Sequence, residues 1–110
     1  MTNQRILAIG KRIAEIKIEL AAVGDMRPGS LTKQYRKAPS GVLAYWQLSY
    51  THKMKSRTDY VRPQHLKIAR AQVKAFRHFK ALVDEWVSLA IELARLKTTL
   101  ALEEEKSMDN

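Results

Sequence analysis

Phe79-Lys80-Ala81-Leu82-Val83-Asp84-Glu85-Trp86-Val87-Ser88-Leu89-Ala90-Ile91-Glu92-Leu93 decides the fold. Phe79, Leu82, Trp86, Leu89 and Leu93, continued by Leu96 and Leu100, step by 3, 4, 3, 4, 3, 4, the apolar seam of a helix that packs along another helix. Toward the N-terminus the same register takes in Ile68, Gln72 and Ala75, with Gln72 the one polar member. Neither glycine nor proline follows Pro63, whose missing N–H is no loss at a first helical position. The spacing therefore predicts one helix over about residues 64–103, roughly 60 Å long at about 1.5 Å per residue. So long a seam needs a cover. The acidic end, residues 104–110, is expected to fray.

The cover is at the other end of the chain. Ile6, Ile9, Ile13, Ile16, Leu20 and Val23 repeat the 3-4-3-4-3 step and predict a helix over about residues 3–23. Thr2 or Asn3 can cap it, Gly24-Asp25 can end it, and Pro28-Gly29 turns the chain away. Gly10 inside it costs about 1 kcal/mol against alanine, less than six seam residues contribute. Packed antiparallel, the two helices set Val23 near Phe79 and Ile6 near Leu96 or Leu100.

Between the helices the period falls toward two. Residues 31–36 alternate as a short strand, and Ala38-Pro39-Ser40-Gly41 is a turn cluster. Ala44, Trp46, Leu48 and Tyr50 then share one face of a second strand, and residues 55–61 alternate again, making a β-hairpin that turns near Thr51-His52-Lys53-Met54. The expected fold is α+β and mostly α: a long antiparallel, coiled-coil-like helical hairpin with a small β-hairpin or three-stranded sheet inserted between the helices. At 110 residues this is a single domain over residues 1–110, its β-region about residues 30–61.

Charge is placed unevenly along this layout. The chain carries 20 lysines and arginines against 11 acids, a formal net charge of +9. Residues 27–80 hold 13 of the basic side chains and one acid, Asp59, while residues 81–110 hold 3 basic side chains against 7 acids. A local cationic field of this kind attracts a polyanion. Lys67, Arg70, Lys74 and Arg77 step by 3, 4, 3 on the helix face opposite the predicted seam. Lys53, Lys55, Arg57 and Arg62 come from the hairpin, and Lys33, Arg36 and Lys37 from the segment before it. Aligned cations track phosphates, two-stranded ribbons enter grooves, and exposed members of Tyr35, Tyr45, Trp46, Tyr50 and Tyr60 can stack on unpaired bases.

The patterns of catalysis are missing. His52, His65 and His78 have no metal-ligand spacing, no cysteine is present, and no phosphate loop, Gly-x-Ser-x-Gly context or magnesium-binding acid cluster occurs. Asp59 reads as a cross-strand partner of Lys55 or Arg57. The expectation is a protein that is not an enzyme and has no cofactor and no metal. No apolar run approaches the ~18 residues of a membrane span, and the basic face lies opposite a seam that folding consumes, which predicts a cytoplasmic protein with no membrane partner. The first functional expectation is a nucleic-acid-binding module, with DNA preferred over RNA. Two helices leave part of each seam open, and Val83, Val87 and Ile91 widen the apolar surface, so a homodimer completing a four-helix arrangement is also expected. The alternative is a coiled-coil protein-interaction subunit that docks on a larger assembly such as a transposase or phage complex.

Three segments carry a resemblance: Pro28-Gly29-Ser30-Leu31-Thr32-Lys33-Gln34-Tyr35-Arg36, then Tyr45-Trp46-Gln47-Leu48-Ser49-Tyr50-Thr51, then Lys55-Ser56-Arg57-Thr58-Asp59-Tyr60-Val61. Together with Ala90-Ile91-Glu92-Leu93-Ala94-Arg95-Leu96, they resemble a family of small, basic, uncharacterised prokaryotic proteins found beside transposases and other mobile elements. The resemblance covers about residues 28–97 and implies the helix–sheet–helix layout and a mobile-element setting. It implies no mechanism, because the family has no assigned activity. Two departures stand out. Lys37-Ala38-Pro39-Ser40-Gly41 replaces the family's cysteine-rich loop, so a metal or redox role of that loop is not carried over. Lys53-Met54 stands where the family has Asn-Gly.

Overall fold

The computed structural model describes residues 2–108. It is mostly helical, with helix α1 (Thr2–Ala22), strands β1 (Ser30–Ala38), β2 (Gly41–His52) and β3 (Lys55–Val61), a single 3₁₀ turn (Pro63–His65), and helix α2 (Leu66–Met108). The strands form one antiparallel sheet in the order β1-β2-β3. This is the α+β, mainly α layout that the periodicities predict, with the sheet inserted between the helices. The chain divides into two compact units, and α2 contributes to both.

The helical unit comprises α1 and α2 from Phe79 onward. Ile9 and Ile16 of α1 and Leu82 of α2 are its buried side chains, and Ile6, Ile13 and Leu20 are half-buried on the same α1 stripe. Trp86, Leu89, Leu93, Leu96 and Leu100 continue the α2 stripe, half-buried. Two ion pairs fix the register. The Arg5 guanidinium donates to both Glu92 oxygens at 2.5 and 2.7 Å, and Arg12 donates to both Glu85 oxygens at 2.6 and 2.8 Å. Seven residues forward on α1 is seven backward on α2, so the helices are antiparallel. Continued, this register sets Ile6 opposite Ile91, about one and a half turns toward the N-terminus of α2 from Leu96 and about two and a half from Leu100. Apolar spacing alone is indifferent to a slide of one turn; the charged flank selects one.

The sheet unit spans residues 23–78. Its core is Leu48, Val61, Ala69 and Val73, with Leu31, Trp46, Tyr50 and Leu66 packed around it. Strand alternation explains which face is used: Leu31, Leu48 and Asp59 are cross-strand neighbours, as are Trp46 and Val61, so Leu31, Trp46, Leu48 and Val61 share one face and meet α2. The α2 residues buried here are Ala69 and Val73, with Leu66, and not the predicted Ile68, Gln72 and Ala75; Ile68 is 58% exposed. A heptad written backward from Phe79 assumes that one partner covers the whole helix. Here the cover changes from a helix to a sheet, and the buried register shifts by a residue. The Arg27 N–H donates to the Gln72 carbonyl at 3.1 Å, tying the segment before β1 to this stretch of α2.

Both hairpins turn in two residues, Pro39-Ser40 and Lys53-Met54. Lys53 and Met54 take φ of +51° and +65°, the left-handed pair that joins twisted strands without splaying them. Met54, at the tip, is 97% exposed.

Candidate nucleic-acid interface

Each strand sends alternate residues to opposite faces, and this sorts the cations. Lys33 and Lys37 of β1 and Lys55 and Arg57 of β3 share the face of Leu48, the side on which α2 packs. Arg36 alone takes the outer face. All of them are exposed. On α2, Lys67, Arg70, Lys74 and Arg77 are exposed as well. Because the buried row is Leu66, Ala69 and Val73, this stripe flanks the buried row instead of opposing it. The Arg70 guanidinium consequently lies over the Trp46 ring, 4.8 Å from its centroid. Lys33 stands 5.7 Å from the Tyr35 ring in the same manner. Such contacts hold a cation in place while leaving its charge unneutralised.

Several of the predicted residues converge. A recess of about 520 Å³ is lined by Arg57 of β3 and Arg77 of α2 together with the hydroxyl residues Ser30, Ser49, Thr51, Ser56 and Thr58. It opens at the sheet edge where β2 runs on past the first residue of β1, Ser30, which pairs with Ser49. Strand parity sets the side chains of these hydroxyl residues on the outer face, where Ser49 pairs with Thr58 and Thr51 with Ser56, so the two arginines supply the charge of this recess. A second recess, about 250 Å³, gathers Lys53, Lys55 and Arg57 around Tyr50 and His52. Arg62 lies elsewhere, beside His65, Ile68 and Arg27. Arg36 lines a fourth opening with Leu43, Tyr45 and Tyr60. Lys37, Lys67 and Lys74 line none of these recesses.

Net charge divides the two units. Of the 12 basic residues in residues 23–78, one makes a salt bridge among the described residues: Arg27 to Asp59, at 3.2 Å. Asp59 therefore partners neither Lys55 nor Arg57. The strand register sets Asp59 beside Leu48, on the face that the segment before β1 crosses, so the cation that reaches it comes from 32 residues away. With two acids, that unit carries a formal +10, and the remainder of the chain −1. In the helical unit two of the eight basic residues, Arg5 and Arg12, pair with acids among the described residues. Arg12 bridges Glu85, Glu19 and Glu15. The hydrogen bonds from Arg12 and Arg5 hold the Glu85 and Glu92 carboxyls below their ordinary range, and raise both guanidinium pKa values. Lys17 lies 5.4 Å from the Trp86 ring.

The residues expected at an oligomer interface, Val83, Val87 and Ile91, lie in the helical unit. Val83 is half-buried, while Val87 and Ile91 are 52% and 50% exposed. Sequence reasoning did not find Leu7 and Ile18 of α1, exposed at 73% and 72%. Their signal was available: both are large apolar residues off the seam. Arg5 and Arg12 also went unnoticed, since their partners lie more than 70 residues away.

Among the described residues, no polar or charged side chain is buried, and no group of three or more histidines, aspartates and glutamates is placed to hold a metal ion. No helix among them is long and apolar enough to cross a membrane. Comparison with protein families, with curated proteins and with solved structures finds no match to this chain.

Proposed function

We propose that this protein is a non-enzymatic nucleic-acid-binding module acting as an accessory to a mobile element, with the sheet unit as its binding surface and DNA as its preferred ligand. One observation carries this reading: residues 23–78 carry a formal +10, and 11 of their 12 basic side chains have no acidic partner among the described residues. Unpaired cations repel one another and weaken a fold. A phosphate backbone relieves that repulsion by taking the place of their counterions. Arg57 and Arg77, which line one recess, are the contact we place first; the remaining cations of α2 and the strands supply the surrounding field.

Fluorescence anisotropy with a labelled nucleic acid at two salt concentrations tests the proposal. The observed affinity falls as salt rises, each duplex phosphate contact adding about 0.9 to the log–log slope. Arg57→Glu combined with Arg77→Glu lowers affinity by at least about tenfold and flattens that slope by about 2. Both residues are exposed, so the variant keeps its fold. Unchanged binding by this variant contradicts the proposal.

A second reading concerns the helical unit. The heptad positions of its ion pairs fall on one flank of the antiparallel pair, and Leu7, Ala14, Val83, Val87, Ala90 and Ile91 fall on the other. A flank made of these residues favours a second copy of the chain over a docking partner of different composition, because two such flanks are alike and nearly uncharged.

A further inference from the structure

We propose that the outer face of the sheet binds unpaired nucleobases, which makes single-stranded nucleic acid the ligand of the module; this rests on the nucleic-acid reading above and specifies it. The starting point is a contrast within one unit. Its helix-bearing side presents Lys33, Lys37, Lys55 and Arg57, whereas the strands place a single charged residue, Arg36, on the outer face. What that face presents instead is rings, amides and hydroxyls.

Tyr45 of β2 and Tyr60 of β3 are diagonal neighbours there, because Tyr60 pairs with Gln47 and Gln47 stands two residues from Tyr45 on the same face. Their ring centroids are 6.4 Å apart and the planes are tilted by 43°. The rings are thus too inclined to satisfy each other by stacking, and Tyr60 remains 62% exposed. Gln34 pairs with Tyr45 on β1 and donates to the Thr32 hydroxyl at 3.1 Å, so amide groups border both tyrosines. Arg36, Leu43, Tyr45 and Tyr60 enclose a recess of about 490 Å³, within the range of small-ligand sites.

This composition suits a base better than a phosphate. An aromatic ring beside an apolar side chain offers π-surface to any base. The glutamines offer donors and acceptors to its edge, and Arg36 can stack or take a flanking phosphate. A duplex hides the flat faces of its bases, so rings on a sheet surface have nothing to stack on there; an unpaired strand exposes them. Electrostatics need not come from the same face. A sheet is thinner than the ~8–10 Å screening length at physiological salt, so the +10 unit draws the strand in while the outer face holds its bases.

The test is competition and direct binding with a 20-nucleotide oligothymidylate, the equivalent oligouridylate and a 20-base-pair DNA duplex. Wild-type protein is expected to bind at least one single strand more tightly than the duplex. Tyr60→Leu and Tyr45→Leu are expected each to weaken single-strand binding by about tenfold without altering its salt slope. Tyr60→Phe and Tyr45→Phe, which keep the ring, retain the affinity. Thermal melting followed by circular dichroism identifies any variant that fails to fold, and Tyr60→Leu, at an exposed site, is the one expected to melt as wild type. Tighter binding of the duplex, or leucine variants that bind single strands as wild type does, overturns the inference and leaves the general nucleic-acid reading standing. Wild-type protein that binds none of the three removes both.

Discussion

Gly29 shows how much one residue can hold. Its φ is +134°, a region that L-residues with a Cβ rarely enter, and it stands where the chain turns into β1. A Cβ built there would lie 2.8 Å from Leu48 Cδ1 and 2.9 Å from the Ser49 carbonyl oxygen. Leu48 is fully buried and the carbonyl belongs to the strand backbone, so neither can move aside cheaply. Gly29→Ala is therefore expected to destabilise the protein by about 2–4 kcal/mol, combining backbone strain with an overpacked core. Urea denaturation followed by circular dichroism measures it. Gly10 makes the contrast: a Cβ there meets nothing within 4 Å, so space allows alanine and helix propensity favours it. Lys53 and Met54 show a local rule broken. The tight turn is the one that Asn-Gly favours, yet neither residue is glycine or asparagine; two productive strands on either side hold the left-handed pair in place.

At the scale of elements, α1 and the second part of α2 are joined by an apolar seam and a charged flank, and acid separates their contributions. The Glu85 and Glu92 carboxyls have folded-state pKa values below their unfolded ones, through hydrogen bonds from Arg12 and Arg5. Groups so depressed add stability that is present above the unfolded carboxyl range, near 4.5, and disappears as pH falls through the folded values. The melting temperature of the protein is expected to drop on acidification below that range, and Glu85→Gln with Glu92→Gln to melt lower at neutral pH while responding less to acid. The same pairs mark what the sequence could and could not convey. Both seams of this unit were readable, because apolar spacing is a local property of one helix. Their mutual register was not, since it depends on arginines and glutamates that come together only after the chain has folded back. The three strands were equally readable from alternation, including the shared face of Trp46 and Leu48. The buried row of α2 beside them was misplaced by a residue, because a heptad cannot tell that its cover has become a sheet. Of the candidate site, the cations themselves were legible as a run of unbalanced charge. Their sorting between the two sheet faces was not, since parity becomes meaningful only once Leu48 is known to point inward.

The whole molecule is a chain of two unlike units joined by one continuous helix. Net charge and the partner that covers α2 both change at residues 78–79, with a formal +10 on one side and −1 on the other. Association of two copies would use the whole length of the helical pair. Along α1, about 30 Å at about 1.5 Å per residue, a flank two helices wide would bury on the order of 1,200 Å² in total, the lower end of a standard interface. Val87 and Ile91 are half exposed, so Val87→Glu with Ile91→Glu leaves the helical pair intact. Light scattering is expected to report a dimer for the wild-type chain and a monomer for this variant; a monomeric wild type contradicts the dimer.

The absence of acidic partners, among the described residues, for 11 cations of residues 23–78 has a thermodynamic corollary for the protein by itself. Before any ligand arrives, those side chains must be surrounded by a loose cloud of solution anions. The identity of the buffer then becomes part of the chemistry. On the proposed nucleic-acid reading, multivalent anions such as phosphate or citrate are expected to compete far more strongly than chloride or acetate, and part of the drive to bind is expected from the freedom those small ions regain when they are displaced.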